Sequence, residues 1–270
     1  IVTGVQTCAL PIYTPTPPAA DTSDSSSTSG QEKGAGAALL VGETTATSAG
    51  TFEAISATEV AYTASSSAAK VSIPATVTVG GQTYKVTSIG NRAFKGNKKV
   101  STVTVGSNVE TIGASAFQGC TKLSKVTLDK SLETIGANAF KGCVALKTVK
   151  LPANVRAVAK GAFQGCTKLS KVTLDKSLEK IGASAFRGCT SLASVTVPAH
   201  VRTIGKSAYQ GCRKLKSITL KTQKLAAKTV GANAFKGTPT NATVKCGKKL
   251  TAYKKFLVKK GMSKKASFTK

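Results

Sequence analysis

Five cysteines stand 23 residues apart. Cys120, Cys143, Cys166, Cys189 and Cys212 each follow a glycine, and such a column could form disulfides, bind a metal or lie buried. Stacked equivalents have parallel Cβ vectors, which is poor geometry for a bridge. No Cys-x-x-Cys and no histidine partner accompanies them, so metal and redox use lack a ligand set. Free cysteine behaves as a small hydrophobe. Asn97 and Thr238 fill the same column in the first and last copies, so the sequence predicts buried thiols, with Cys246 outside the pattern. His200 is the one histidine and takes the slot held by Asn108 and Asn154, an exposed turn. Asp129 and Asp175, like Glu133 and Glu179, are duplicates two periods apart, roughly 10 Å by strand spacing. That separation touches the range of an inverting glycosidase pair, but duplicated turn residues account for it. Neither a phosphate-binding glycine loop nor a nucleophile elbow is present. The expected class is non-enzymatic, with no cofactor and no metal.

The elements that position these residues repeat with them. Ile-Gly or a variant opens a copy at Ile89, Ile112, Ile135, Val158, Ile181 and Ile204, and a last copy opens at Val230 after a three-residue insertion. Strict self-similarity at this period marks a solenoid. Within a copy, Leu-x-x-Val-x-Leu (Leu123–Leu128) predicts one short strand alternating in and out. Ala-x-Ala-Phe-x-Gly predicts a helical turn closed by a glycine cap. A single coil cannot bury its Phe, Leu, Val and Ile. Stacked between neighbours it can, at roughly 1.5–3 kcal/mol per large side chain fully buried.

The phrase I-G-x-x-A-F-x-G-C-x-x-L-x-x-V-x-L-P-x-x-V, as in Ile135–Ala157, resembles the BspA-like (Treponema-type) leucine-rich repeat of bacterial surface and secreted proteins. The likeness is tight over Ile89–Gly237. It implies a right-handed leucine-rich repeat solenoid, β-rich with short helical turns, of about seven 23-residue repeats. It also implies a surface or secreted location and adhesion to host matrix proteins, other bacteria or glycans.

In chain order, residues 1–12 read as the translation of a short-read sequencing adapter, so Cys8 is set aside and the native N-terminus is expected to be missing. Residues 13–37 are rich in Pro, Ser and Thr and read as a linker. Residues 38–88 read as an N-terminal β cap, with Gly80-Gly81 marking a hairpin. Residues 89–247 form the solenoid. Residues 248–270 form a C-terminal cap, with Leu250, Tyr253, Phe256 and Leu257 on one helical face and a closing strand over Ala266–Thr269. Phe117–Glu133 recurs identically as Phe163–Glu179, as duplication of a two-coil unit would leave it.

The chain carries +28 overall. Through Tyr84 there are 2 basic and 6 acidic residues, and from Lys85 onward 37 basic and 5 acidic, or +32. Such a field attracts polyanions. Only five of the 39 basic residues are Arg, which favours diffuse association over a bidentate anion pocket. Nearly every aromatic after Tyr84 belongs to the core pattern, leaving none for base stacking, so no specific nucleic-acid partner is expected. What remains is the outward strand face. Lys125, Thr127, Lys150, Lys171, Thr173, Thr196 and Thr219 make a hydroxyl-rich, lysine-dotted surface of the kind repeat proteins use for extended contact, although Thr is also simply a good strand residue. The expected function is an extracellular or cell-surface binding module or adhesin, monomeric, with surface proteins or acidic glycans as partners. The alternatives are a spacer in a larger surface protein, and a non-specific binder of sulfated glycan or cell-wall polymer.

Overall fold

A computed structural model describes residues 38–64 and 68–270. The adapter-like and linker segments, with Cys8, lie outside the described residues. Alternation of small polar and β-branched residues produces two columns of short parallel strands. The first runs Lys70–Ser72, Thr102–Thr104, Lys125–Thr127, Thr148–Lys150, Lys171–Thr173, Ser194–Val197, Ser217–Leu220, Thr243–Lys245 and Ser267–Thr269. The second starts on the long strand Gln82–Ile89 and continues through Thr111–Ile112, Thr134–Ile135, Ala157–Val158, Lys180–Ile181 and Thr203–Ile204, to a bridge at Val230. Where strands pair within the repeats the register is one coil: Val103 faces Val126, Val149 faces Val172, and Ile112 faces Ile135.

The Ala-Phe-x-Gly segment forms overlapping i→i+3 turns and does not continue as helix. Gln118 N–H donates to Ser115 O (3.0 Å) and Cys120 N–H to Phe117 O (3.2 Å), while Phe117 N–H and Gly119 N–H donate to Ala139 O (2.7 Å) and Lys141 O (2.8 Å) of the next coil. The cause is backbone handedness. Ser115 (φ 58°) and Gly119 (φ 75°) are left-handed, which turns alternate N–H groups along the solenoid axis instead of back into one helix. Each coil thus joins its neighbour through a third ladder.

Phenylalanines stack inside this ladder. Ring centroids from Phe94 through Phe117, Phe140, Phe163, Phe186 and Tyr209 to Phe235 are 4.8–5.5 Å apart, and Tyr62 extends the stack into the N-terminal sheet at 5.4 Å. That sheet includes the antiparallel pair Thr76–Val79 and Gln82–Ile89, whose turn has Gly80 and Gly81 both at positive φ, as a type I′ hairpin requires. At the other end Tyr253, Phe256 and Leu257 of the helix Leu250–Lys259 are buried. Tyr253 donates its hydroxyl to Thr222 O at 2.9 Å, and Ser267–Thr269 closes the first column by pairing with Thr243–Lys245.

One step of the stack departs from the rest on both strand columns. The glycine that follows each opening Ile is there for space, because none of Gly113, Gly136, Gly182 and Gly205 has positive φ. A Cβ on Gly136 would lie 2.7 Å from Ala114 N, and one on Gly182 would lie 2.7 Å from Ala159 C. In the fourth coil this position is Ala159. Gly113, Gly136, Gly182, Gly205 and Gly231 all donate their N–H one coil back at 2.7–2.8 Å, whereas Ala159 makes no such bond to Ile135. Among the described residues neither Thr134–Ile135 with Ala157–Val158 nor Lys125–Thr127 with Thr148–Lys150 forms a registered pair. The turn side of the same step stays joined, with Asn138 N–H on Lys160 O (2.9 Å) and Phe140 N–H on Ala162 O (2.8 Å). Ala159 thus puts a methyl where Gly136 and Gly182 approach the preceding coil most closely, at the step where both strand columns are unpaired.

Candidate functional site

The first strand column builds the surface. In each strand the central valine or isoleucine is buried and its neighbours point outward: Val126 is enclosed between exposed Lys125 and Thr127, and Val172 between exposed Lys171 and Thr173. Lys150 and Thr196 are exposed and Thr219 is half-buried. Registered pairing sets Thr104 beside Thr127, Lys150 beside Thr173, and Thr196 beside Thr219. The seven residues singled out by sequence therefore lie on one face. That face is interrupted twice. A crevice of about 380 Å³ between Thr127 and Lys150 is also lined by Lys130, Pro152 and Asp175. A second, of about 330 Å³, separates Thr173 from Thr196. On the other side of the Ala159 step lies a hollow of about 470 Å³ lined by Glu133, Thr134, Asn154, Arg156 and Ala159. Asn154 bridges the opened coils by donating Nδ2–H to Lys130 O at 3.2 Å.

The chemistry-bearing residues are held in structural roles. Cys120, Cys143, Cys166, Cys189 and Cys212 are free and buried. Each donates its thiol hydrogen to the Phe carbonyl of the preceding coil, at 3.0–3.2 Å. Burial pushes the Cys120 and Cys212 thiols up to about 12 and holds Cys143, Cys166 and Cys189 well above the ordinary thiol range, which disfavours the thiolate that a nucleophile or ligand needs. His200 is exposed, with Nδ1 3.0 Å from Lys176 O, the counterpart of the Asn154 and Asn108 contacts to preceding coils. Asp129 and Asp175 each accept the amide two residues ahead at 3.0 Å, a turn-capping use of aspartate. The Ser177 amide and hydroxyl hold the Asp175 carboxyl below the usual range. Glu179 pairs with Arg156 at 2.9 Å on an open surface. Among the described residues no cluster of three or more His, Cys, Asp or Glu could hold a metal ion, and no helix is long and apolar enough to cross a membrane. The feature that sequence reasoning passed over is Ala159. Its signal was legible as Val-Ala in the Ile-Gly column.

The chain matches the family model described as BspA type leucine rich repeat region in six copies, over residues 58–189, 87–216 and 133–260. Among solved structures it is similar to a leucine-rich repeat protein of T. pallidum, with 29% identity, a TM-score of 0.59, and 66% of this chain and 81% of that chain covered. It is also similar to a leucine-rich repeat protein of Eubacterium ventriosum, with 26% identity and a TM-score of 0.58. That match covers 66% of this chain and 46% of the other. Among curated proteins nothing matches.

Proposed function

The chain belongs to the BspA-type leucine-rich repeat family, and from that premise we propose that it is a non-enzymatic binding module displayed on or outside a bacterial cell, which contacts surface proteins or acidic glycans. The observation that carries this reading is the strand face. Lys125, Thr127, Lys150, Lys171, Thr173 and Thr196 stand exposed on coils that a hydrogen-bonded turn ladder joins at every step. A rigid, hydroxyl-rich surface loses little conformational entropy on binding, which favours extended contact over a small deep pocket. The titratable groups support the same reading, since the five column thiols and the Asp129 and Asp175 carboxylates are committed to backbone hydrogen bonds.

The test is binding of the full chain to immobilised matrix proteins and acidic glycans from about 50 to 500 mM salt. A partner that persists at high salt, and is lost when Lys125, Lys150 and Lys171 are changed to Ser, identifies the strand face as the site. Binding of every polyanion alike, vanishing together as salt rises, would sink the adhesin reading. The identical segments Phe117–Glu133 and Phe163–Glu179 favour a spacer as the second reading, because duplication extends a stack without shaping a unique surface. In that case no partner survives at high salt.

A further inference from the structure

The charge of the coils is sorted by side. Take the ten positions from Lys95 to Thr104, running from the Phe-Gly turn through the first strand, and their equivalents 118–127, 141–150, 164–173, 187–196 and 210–219. These sixty positions hold fourteen Lys and Arg and no Asp or Glu. The remaining positions of the same coils, 89–229, hold eleven basic residues and all five acids found after Lys85. The acids sit in the connection between the two strand columns, where Asp129 and Asp175 cap turns and Glu179 meets Arg156. The turn-to-strand corner has no counter-charge. Lys99, Lys122, Lys168 and Lys214 occupy one repeat position on it, all exposed, and Lys147 covers the third coil, where that position is Ala145.

This corner is also rigid. Ser124 N–H donates to Ser101 O (2.8 Å), Lys168 N–H to Val144 O (3.1 Å), Ser170 N–H to Lys147 O (3.0 Å) and Lys216 N–H to Ala193 O (3.0 Å). Four of the six coils therefore hold a lysine at the same place along an axis that rises about 4.8 Å per coil, while the fifth has Ser191 there and carries Arg187 at the head of its turn. Like charges fixed this close repel one another, and a linear polyanion lying along the axis would relieve that repulsion and release its own counterions. The nature of the polyanion follows from what surrounds the lysines. The coil aromatics, Phe94 through Phe235, are all buried, so this column offers nucleic-acid bases no stacking platform. Exposed hydroxyls of Thr127, Thr148 and Thr173 flank the lysines and can donate to sulfate oxygens and sugar hydroxyls. Lysine supplies point charges without the planar fork that selects phosphate geometry.

We propose that the turn-to-strand corner binds a linear sulfated glycan laid along the solenoid axis. This rests on the binding-module reading and moves the centre of the site from the strand face to the cationic corner. The experiment uses the full chain and size-defined heparin oligosaccharides, with titrations at several salt concentrations. One variant carries Lys99→Ser, Lys122→Ser, Lys168→Ser and Lys214→Ser. A charge-matched variant carries Lys130→Ser, Lys176→Ser, Lys180→Ser and Lys221→Ser on the side that holds the acids. Circular dichroism verifies the fold of both. The corner variant should lose at least about tenfold in affinity and show a shallower salt dependence, with the charge-matched variant within about threefold of the parent. Equal losses in both variants, or single-stranded DNA of matched charge binding as well as heparin, would overturn the proposal. So would an absence of heparin binding, and if a protein partner were still captured through Lys125, Lys150 and Lys171, the binding-module reading would stand without it.

Discussion

The thiol of Cys143 donates to the carbonyl oxygen of Phe117, one coil back, at 3.1 Å. The same oxygen accepts Cys120 N–H from its own turn at 3.2 Å. Both lone pairs of a buried carbonyl are thereby used, one inside the coil and one between coils. A cysteine suits the position because it is small and apolar enough for full burial yet still carries a weak donor.

Those thiols should be inert in the folded protein. With Cys8→Ser removing the one cysteine outside the described residues, Ellman's reagent at pH 8 should label none of the six others in the native state and all six in guanidinium. The sign follows from the raised values. A thiol pushed up to about 12, as for Cys120 and Cys212, stays protonated at pH 8, and its burial also blocks attack. Prompt labelling of two or more native thiols would show that the coils open far more readily than their packing implies.

Tyr209 carries a hydroxyl that the stack does not need. It occupies the Phe column, fully buried, and its oxygen has no hydrogen-bond partner among the described residues. Burial raises its ionisation well above that of a free tyrosine, so the cost is that of a neutral orphan. Tyr209→Phe should raise stability by about 1 kcal/mol, within the 1–3 kcal/mol range for an unsatisfied buried group. Chemical denaturation with an unchanged m-value is the measurement. A loss of stability would mean that the hydroxyl is satisfied after all.

Phe140 sits mid-stack, between Phe117 at 5.1 Å and Phe163 at 5.3 Å. Phe140→Ala removes a fully buried ring and should cost about 3–5 kcal/mol. Coils contact only their neighbours, so the loss also weakens coupling between the two halves of the array. Thermal unfolding should broaden or divide into two transitions. Phe235→Ala, at the end of the stack, should leave a single one.

The coils were legible because their packing is a nearest-neighbour problem. Each apolar column names its own partners, and the alternation around Val126 states which side chains face out. The turn stops short of regular helix where Ser115 and Asn138 take left-handed φ near 58°, a limit that residue type alone does not set. The opening at the Ala159 step was hidden for another reason. Whether two strands pair depends on contact between coils, and the Ala in place of Gly at 159 is a one-methyl signal that gains meaning only when the Gly136–Ala114 approach of the preceding step is measured.

Ala159 therefore gives the most direct test of how the stack is held. Ala159→Gly removes the methyl, so its N–H can reach Ile135 O and the strands Thr134–Ile135 and Ala157–Val158 can pair as their neighbours do. Each restored backbone hydrogen bond is worth about 0.5–1.5 kcal/mol. The added flexibility of glycine in the unfolded chain offsets about 0.4–1 kcal/mol. The net change in stability is small and positive, so a melting curve alone is a weak readout. Amide exchange separates the terms, because it reports the bonds and not the unfolded chain. In the parent, the amides of Ala157 and Ala159 should exchange faster than those of Lys180 and Gly182, which occupy the same positions one coil on. In the variant the two pairs should become alike. Equal protection in the parent would mean that the strand edges are closed in solution and that the methyl is accommodated without opening the coils.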